Sequence, residues 1–124
     1  MTDAPPAPAD AATETAADPV RDFIARTIDE HPVLLFMKGV PDHPQCGFSA
    51  VVVQILDHLG ADFVGVNVLQ DDALRNGIKT FSDWPTVPQL YVKGEFVGGS
   101  DIVREMFSSG ELKSLFAEKG VLAG

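Results

Sequence analysis

Residues 33–37, Val-Leu-Leu-Phe-Met, form an unbroken apolar run between His31-Pro32 and Lys38-Gly39. A short continuous apolar run of this kind reads as a strand buried on both faces rather than a strand with one wet side. Such a strand has to be covered twice, which calls for helices around it. The flanking segments supply them. Asp18-Pro19 is a helix start signal, with Asp as N-cap and Pro as first helical residue. Val20, Phe23, Ile24 and Ile28 then recur at helical spacing, and His31-Pro32 ends the helix. After the strand, Ala50 to Leu59 presents Val51, Val52, Ile55, Leu56 and Leu59 as an apolar helix face, with Gly60 as its stop.

The second half continues the alternation. Phe63 to Val68 reads as a strand. Asp71-Asp72 caps a helix containing Leu74, Ile78 and Phe81, which Gly77 weakens. Gln89 to Val92, Lys93-Gly94 and Glu95 to Val97 read as strand, tight turn and strand. Ser100-Asp101 caps a helix with Ile102, Val103, Met106 and Phe107. A last helix carries Leu112, Leu115 and Phe116 and stops at Gly120. A βαβ unit followed by a hairpin predicts an α/β domain with a central mixed four-stranded sheet flanked by about five helices.

The folded domain is expected over residues 18–124. Residues 1–17 are rich in Ala, Pro and Thr, carry acids and no Lys or Arg, and read as a disordered acidic tail. They lack the apolar core of a signal peptide and the arginines of a transit peptide, which favours a cytoplasmic protein of bacterial type. The formal net charge of -9 argues against nucleic-acid binding through a basic face. No apolar run is long enough to span a membrane. A single cysteine excludes a disulfide scaffold and points to a reducing compartment.

That cysteine, Cys46, stands in Pro44-Gln45-Cys46-Gly47-Phe48-Ser49, between the first strand and the helix after it. One reading is a buried, inert cysteine. The other is a partly exposed thiolate, favoured by the positive end of the helix dipole and able to act as nucleophile or metal ligand. Ser49 occupies the place of the second cysteine in a Cys-x-x-Cys motif, so no internal disulfide is available. Lys38 is close enough in sequence to favour the thiolate further, or is a solvated strand-end lysine. His31, His43 and His58 show no metal-ligand spacing.

Four motifs then fall in order: Phe36-Met37-Lys38-Gly39, Pro44-Gln45-Cys46-Gly47-Phe48-Ser49, Trp84-Pro85-Thr86-Val87-Pro88-Gln89-Leu90, and Val97-Gly98-Gly99-Ser100-Asp101. Together they resemble the monothiol glutaredoxins of the Cys-Gly-Phe-Ser class, on the thioredoxin fold, over roughly residues 18–118.

The resemblance implies a glutathione site. Cys46 would be the reactive thiol and the iron ligand, with Phe48 beside it. Lys38 and Arg75 would hold glutathione carboxylates, and Lys79 matches a further basic residue of the family. Arg75 and Lys79 also lie four apart on one helix face, where pairing with Asp71 or Asp72 is the plainer reading. Val87-Pro88 would carry a cis peptide bond facing Cys46. The Val87 backbone would pair with the cysteinyl part of glutathione as an added strand does, with Thr86 and Trp84 alongside. Gly99, Ser100 and Asp101 would offer a helix N-terminus to the γ-glutamyl carboxylate, and Asp101 would meet its ammonium group.

The function so implied is a carrier or scaffold for a [2Fe–2S] cluster that bridges a homodimer through Cys46 and glutathione. A BolA-type protein and iron–sulfur client proteins are the implied partners. The alternative is a weak monothiol oxidoreductase that removes glutathione from proteins through Cys46. A thioredoxin-fold interaction domain with no cofactor is the third reading.

Overall fold

A computed structural model of the chain describes residues 19–121. The expected tail and the Asp18 cap lie outside the described residues.

Helix α1 (Pro19–Glu30) leads into β1 (Val33–Met37). A short ladder follows, β2 (Gly39–Val40) and β3 (His43–Pro44), and then α2 (Gly47–Leu59). Next come β4 (Val64–Asn67), a 3-10 turn (Val68–Gln70) and α3 (Asp72–Ser82). The hairpin β5 (Gln89–Val92) and β6 (Glu95–Gly98) precedes α4 (Ser100–Ser109) and α5 (Glu111–Lys119). The main sheet has four strands in the order β4-β1-β5-β6. β1 runs parallel to β4 and antiparallel to β5, and β5 pairs antiparallel with β6. The predicted mixed α/β sheet with five helices is therefore present.

The apolar run of β1 is explained by its place inside this sheet. Successive side chains of a strand point to opposite faces. Val33, Leu35 and Met37 pack with Leu90, Val92, Val52, Leu56, Leu112 and Phe116 on the α2–α4–α5 side. Leu34 and Phe36 pack with Tyr91, Ile24, Ile28, Leu74 and Ile78 on the α1–α3 side. All five residues of β1 are buried. Among the described residues no helix is long and apolar enough to cross a membrane.

Two local expectations are corrected. The strand read over Phe63–Val68 is confined to Val64–Asn67, because the Asn67 side chain accepts from the Leu69 N–H and turns the backbone into the 3-10 turn. The segment between β1 and Cys46 also carries a short ladder, in which Gly39 pairs with Pro44 and Val40 with His43. The N-cap of α4 is Gly99, not Ser100 or Asp101, and no side chain caps it. Ser100 and Asp101 already belong to the first helical turn, so their amide groups have no partner one turn earlier. Other ends follow the sequence signals. Asp71 caps α3 through its side chain, and Gly60 and Gly120 close α2 and α5 in the left-handed conformation.

Candidate functional site

The sheet register collects the sequence motifs at one end. Antiparallel pairing sets Phe36 opposite Gln89, so the Val87–Pro88 segment continues beside the end of β1 and Lys38. Leu90 pairs with Gly98, which brings the start of α4 to the same edge. The α2 N-terminus reaches that end through the β2–β3 ladder.

The ladder is held by specific bonds. The Gln45 N–H donates to the Lys38 carbonyl at 2.8 Å, closing the loop directly before Cys46. The Gly39 N–H donates to Asn67 Oδ1 at 3.0 Å, which ties the loop to β4. Gly39 has φ +92, and a Cβ there would lie 2.6 Å from the Gln45 nitrogen. That backbone contact is available only to glycine. Ser49 is fully buried, and its Oγ accepts from the Lys38 N–H at 3.1 Å. These supporting residues, Asn67, Gln45 and Ser49, were not singled out as site residues from the sequence. For Ser49 the signal was present, a small hydroxyl in an otherwise apolar helix face.

Cys46 is the N-cap of α2, in extended conformation, and is partly exposed. The inert-cysteine reading is therefore set aside. The Ser49 backbone N–H does most to hold the thiol below its ordinary value; the Phe48 N–H, the Lys38 charge and the Ser49 side chain add to it, while desolvation opposes them. The sulfur makes no formed capping hydrogen bond. The amides thus act through their field, as the open end of a helix does on a nearby anion.

Around this thiol, Lys38 is half-buried and Phe48 is 59% exposed. The Val87–Pro88 bond is cis, as the resemblance implied. Val87 and Pro88 are buried and Thr86 is exposed. The Val87 backbone N–H and carbonyl have no hydrogen-bond partner among the described residues. Buried Gln89 donates from Nε2 to the carbonyls of Trp84 and Thr86, at 3.1 and 3.0 Å. Trp84 packs its indole against Phe96, so packing accounts for it. Gly99 is buried against Trp84, Ser100 is half-exposed and Asp101 is exposed.

The basic residues of α3 divide. Arg75 pairs with Asp72 at 3.3 Å, the surface pairing that composition alone favoured. Lys79 lies in the last turn of α3 and forms no ion pair among the described residues. Among the described residues no hydrogen bond or ion pair joins either residue to the Cys46 loop.

This end of the sheet offers a thiol with a lowered pKa, a neighbouring cation, an unpaired backbone edge and an uncapped helix N-terminus. That set suits a small peptide-like anion, bound along the backbone edge with its carboxylate at the helix N-terminus.

Comparison with known proteins gives a consistent result. Residues 33–97 match the family model for glutaredoxin. The chain is similar to probable monothiol glutaredoxin 2 of Rickettsia typhi, 52% identical over 97 residues that cover 78% of the chain and 87% of that protein. It is 48% identical over 110 residues to monothiol glutaredoxin-S11 of Oryza sativa subsp. japonica, covering 89% of the chain. The chain spans only 22% of that longer relative's length, and 22% of monothiol glutaredoxin-S17 of Arabidopsis thaliana. Among solved structures, reduced poplar apo GrxS14 is 49% identical, with a TM-score of 0.72 over 81% of this chain and 92% of that one. A buckwheat glutaredoxin–glutathione complex is 25% identical, with a TM-score of 0.77 over 90% of this chain and 99% of that one.

Proposed function

The chain belongs to the monothiol glutaredoxins, and we propose from that premise that it is a glutathione-dependent carrier of [2Fe–2S] clusters. Glutathione binding is supported by the site itself and by the buckwheat relative that is a glutathione complex. The tripeptide's cysteinyl backbone meets the free N–H and carbonyl of Val87, beside Thr86 and Pro88. Its γ-glutamyl carboxylate meets the amides at Gly99, Ser100 and Asp101, with Asp101 close to the ammonium group. Its glycyl carboxylate meets Lys38, and Arg75 once released from Asp72, with Lys79 further along α3.

One observation carries the step from glutathione to cluster: the chain owns a single thiol, and that thiol is thiolate-favouring and open beside the glutathione site. A [2Fe–2S] cluster is commonly held by four thiolates. Among the described residues no three His, Cys, Asp or Glu side chains stand together as metal ligands. Cys46 from each of two copies and one thiolate from each of two glutathiones complete the set. The cluster is then cargo bridging a homodimer, with half its ligands exchangeable, which suits delivery to iron–sulfur client proteins. A BolA-type protein replaces one copy in the heteromeric form. A reducing compartment such as the bacterial cytoplasm keeps the lone thiol competent.

The test is anaerobic reconstitution with iron, sulfide and glutathione, followed by visible absorption and size-exclusion chromatography. The expected product is a coloured dimer that requires both Cys46 and glutathione. A colourless monomer, or colour retained by Cys46→Ser, would overturn the carrier reading.

The lowered Cys46 value favours a second reading as well. The thiolate attacks the glutathionyl sulfur of a protein mixed disulfide, the client leaves as its thiolate, and Cys46 becomes glutathionylated. A second glutathione thiolate attacks that disulfide, giving oxidised glutathione and the Cys46 thiolate. Ser49 does not interfere, because glutathione resolves the intermediate. Brisk turnover of a glutathionylated substrate by cluster-free protein would favour this enzyme over the carrier.

A further inference from the structure

The glutathione reading leaves one fully buried polar side chain at the site without a role. Gln89 is 0% exposed, at the first position of β5. Its Nε2 lies 3.1 Å from the Trp84 carbonyl and 3.0 Å from the Thr86 carbonyl. Two acceptors on one atom fix the orientation of the carboxamide, because only the NH2 group has two protons to give.

The Thr86 carbonyl belongs to the same planar peptide unit as the Val87 N–H. In a trans peptide the C=O and N–H point in opposite directions. A donor drawing the Thr86 carbonyl toward the interior therefore turns the Val87 N–H away from it, toward the open face. The second bond reaches Trp84, whose indole nitrogen would lie 2.9 Å from a Cβ at Gly99. Gly99 is the N-cap of α4. One buried amide thus ties the backbone at both Thr86 and Trp84, the stretch that leads into the Val87 edge.

We propose that Gln89 is a positioning residue that sets the direction of the Val87 N–H and so prepares the backbone edge that receives glutathione. This rests on the glutathione reading of the site. Gln89 touches no ligand itself; it acts through Thr86 and Trp84.

The proposal is tested on the nitrogen-15-labelled full chain by NMR, with reduced glutathione as the titrant. In the wild type the Gln89 side-chain NH2 exchanges with solvent much more slowly than those of exposed Gln45 and Gln54. This needs no variant, and exchange as fast as at Gln45 overturns the proposal. Gln89→Met keeps the side chain's length and apolar stem and removes both donors. The expected result is a broadened or split Val87 amide signal and glutathione binding at least tenfold weaker, with α2 amide shifts unchanged. A Val87 signal of wild-type position and width, or binding within twofold of wild type, overturns it. Should Gln89→Met not fold, Gln89→Leu is read the same way, since it too removes both donors and keeps an apolar side chain in the buried position. A wild-type chain that binds no glutathione defeats the reading of the pocket. The positioning role is then decided by the Val87 signal alone, and no change in it overturns the proposal.

Discussion

Ser49 Oγ accepts a hydrogen bond from the backbone N–H of Lys38 at 3.1 Å, joining the end of β1 to the first turn of α2. The bond spans 11 residues of chain and is fully buried on the serine side. It sets Lys38 and Cys46 in one rigid corner. Ser49→Ala leaves the Lys38 N–H without an acceptor, which costs about 1–3 kcal/mol. It also removes one of the groups that hold the Cys46 thiol down. Chemical denaturation is expected to show the lost stability, and thiolate absorbance against pH an upward move of the Cys46 titration. Wild-type values of both would remove Ser49 from the site.

Cys46 links stability to pH in a defined direction. Its folded value lies below that of an ordinary thiol. The contribution to stability is therefore complete above the ordinary thiol range and is lost as pH falls through the lowered value. Alkylation rates with iodoacetamide are expected to rise at a pH below that of a free cysteine. The stability difference between wild type and Cys46→Ser is expected to grow over the same interval. An alkylation midpoint at or above the free-thiol value would contradict both.

Gly39→Ala is expected to disturb the reactive loop more than its size suggests. The new Cβ would face the Gln45 nitrogen at 2.6 Å and the His43 carbonyl at 2.7 Å, at a φ of +92. A left-handed alanine under that contact costs about 1–3 kcal/mol. Because Gln45 precedes Cys46, the alkylation rate should change along with the unfolding midpoint. Unaltered reactivity would show that the ladder does not position the thiol.

Tyr91 offers a test with the opposite sign. Its phenol is buried, and burial pushes its titration up to about 12 from 10.0, a push that nearby Ser82 slightly opposes. Ser82 Oγ already donates to the Ile78 carbonyl and accepts from the Trp84 N–H, and the phenol oxygen is left without a formed hydrogen bond. Stability tied to this group is full below pH 10.0 and is lost as pH rises through about 12. Tyr91→Phe keeps the ring contacts with Phe36 and Phe96. It is expected to be neutral or stabilising by up to about 1 kcal/mol at neutral pH and to flatten the alkaline decline. Strong destabilisation in thermal unfolding would reveal a phenol partner.

Arg75 and Asp72 form a surface pair, with side chains 39% and 84% exposed. Such pairs contribute about 0–1 kcal/mol. Asp72→Ala should leave the unfolding midpoint almost unchanged and tighten glutathione binding by freeing the guanidinium. Arg75→Ala should weaken it roughly tenfold, the range of a charge-assisted hydrogen bond. Equal calorimetric affinities for wild type and Arg75→Ala would remove Arg75 from the glutathione site.

Periodicity and punctuation alone determined much of this protein. The unbroken run Val33–Met37 specified a doubly covered strand, because alternate side chains with no polar member leave no face for water. Asp71, Gly60 and Gly120 marked helix ends because capping is a local act of one side chain or one left-handed residue. Cys46 before a helix was legible for the same reason. Tertiary structure alone decided what depends on partners distant in sequence. Ser49 reaches back to Lys38, and Asn67 crosses from β4 to Gly39. Those bonds, rather than the Cys46 motif, turn a flexible connection into a fixed corner. Gln89 bonds to carbonyls close by in sequence, but its burial depends on the long-range pairing of its strand with Phe36 of β1, so it looked like one more strand residue. Buried hydrogen bonds formed across the sheet end have no periodicity in the chain, so only the folded geometry assigns them.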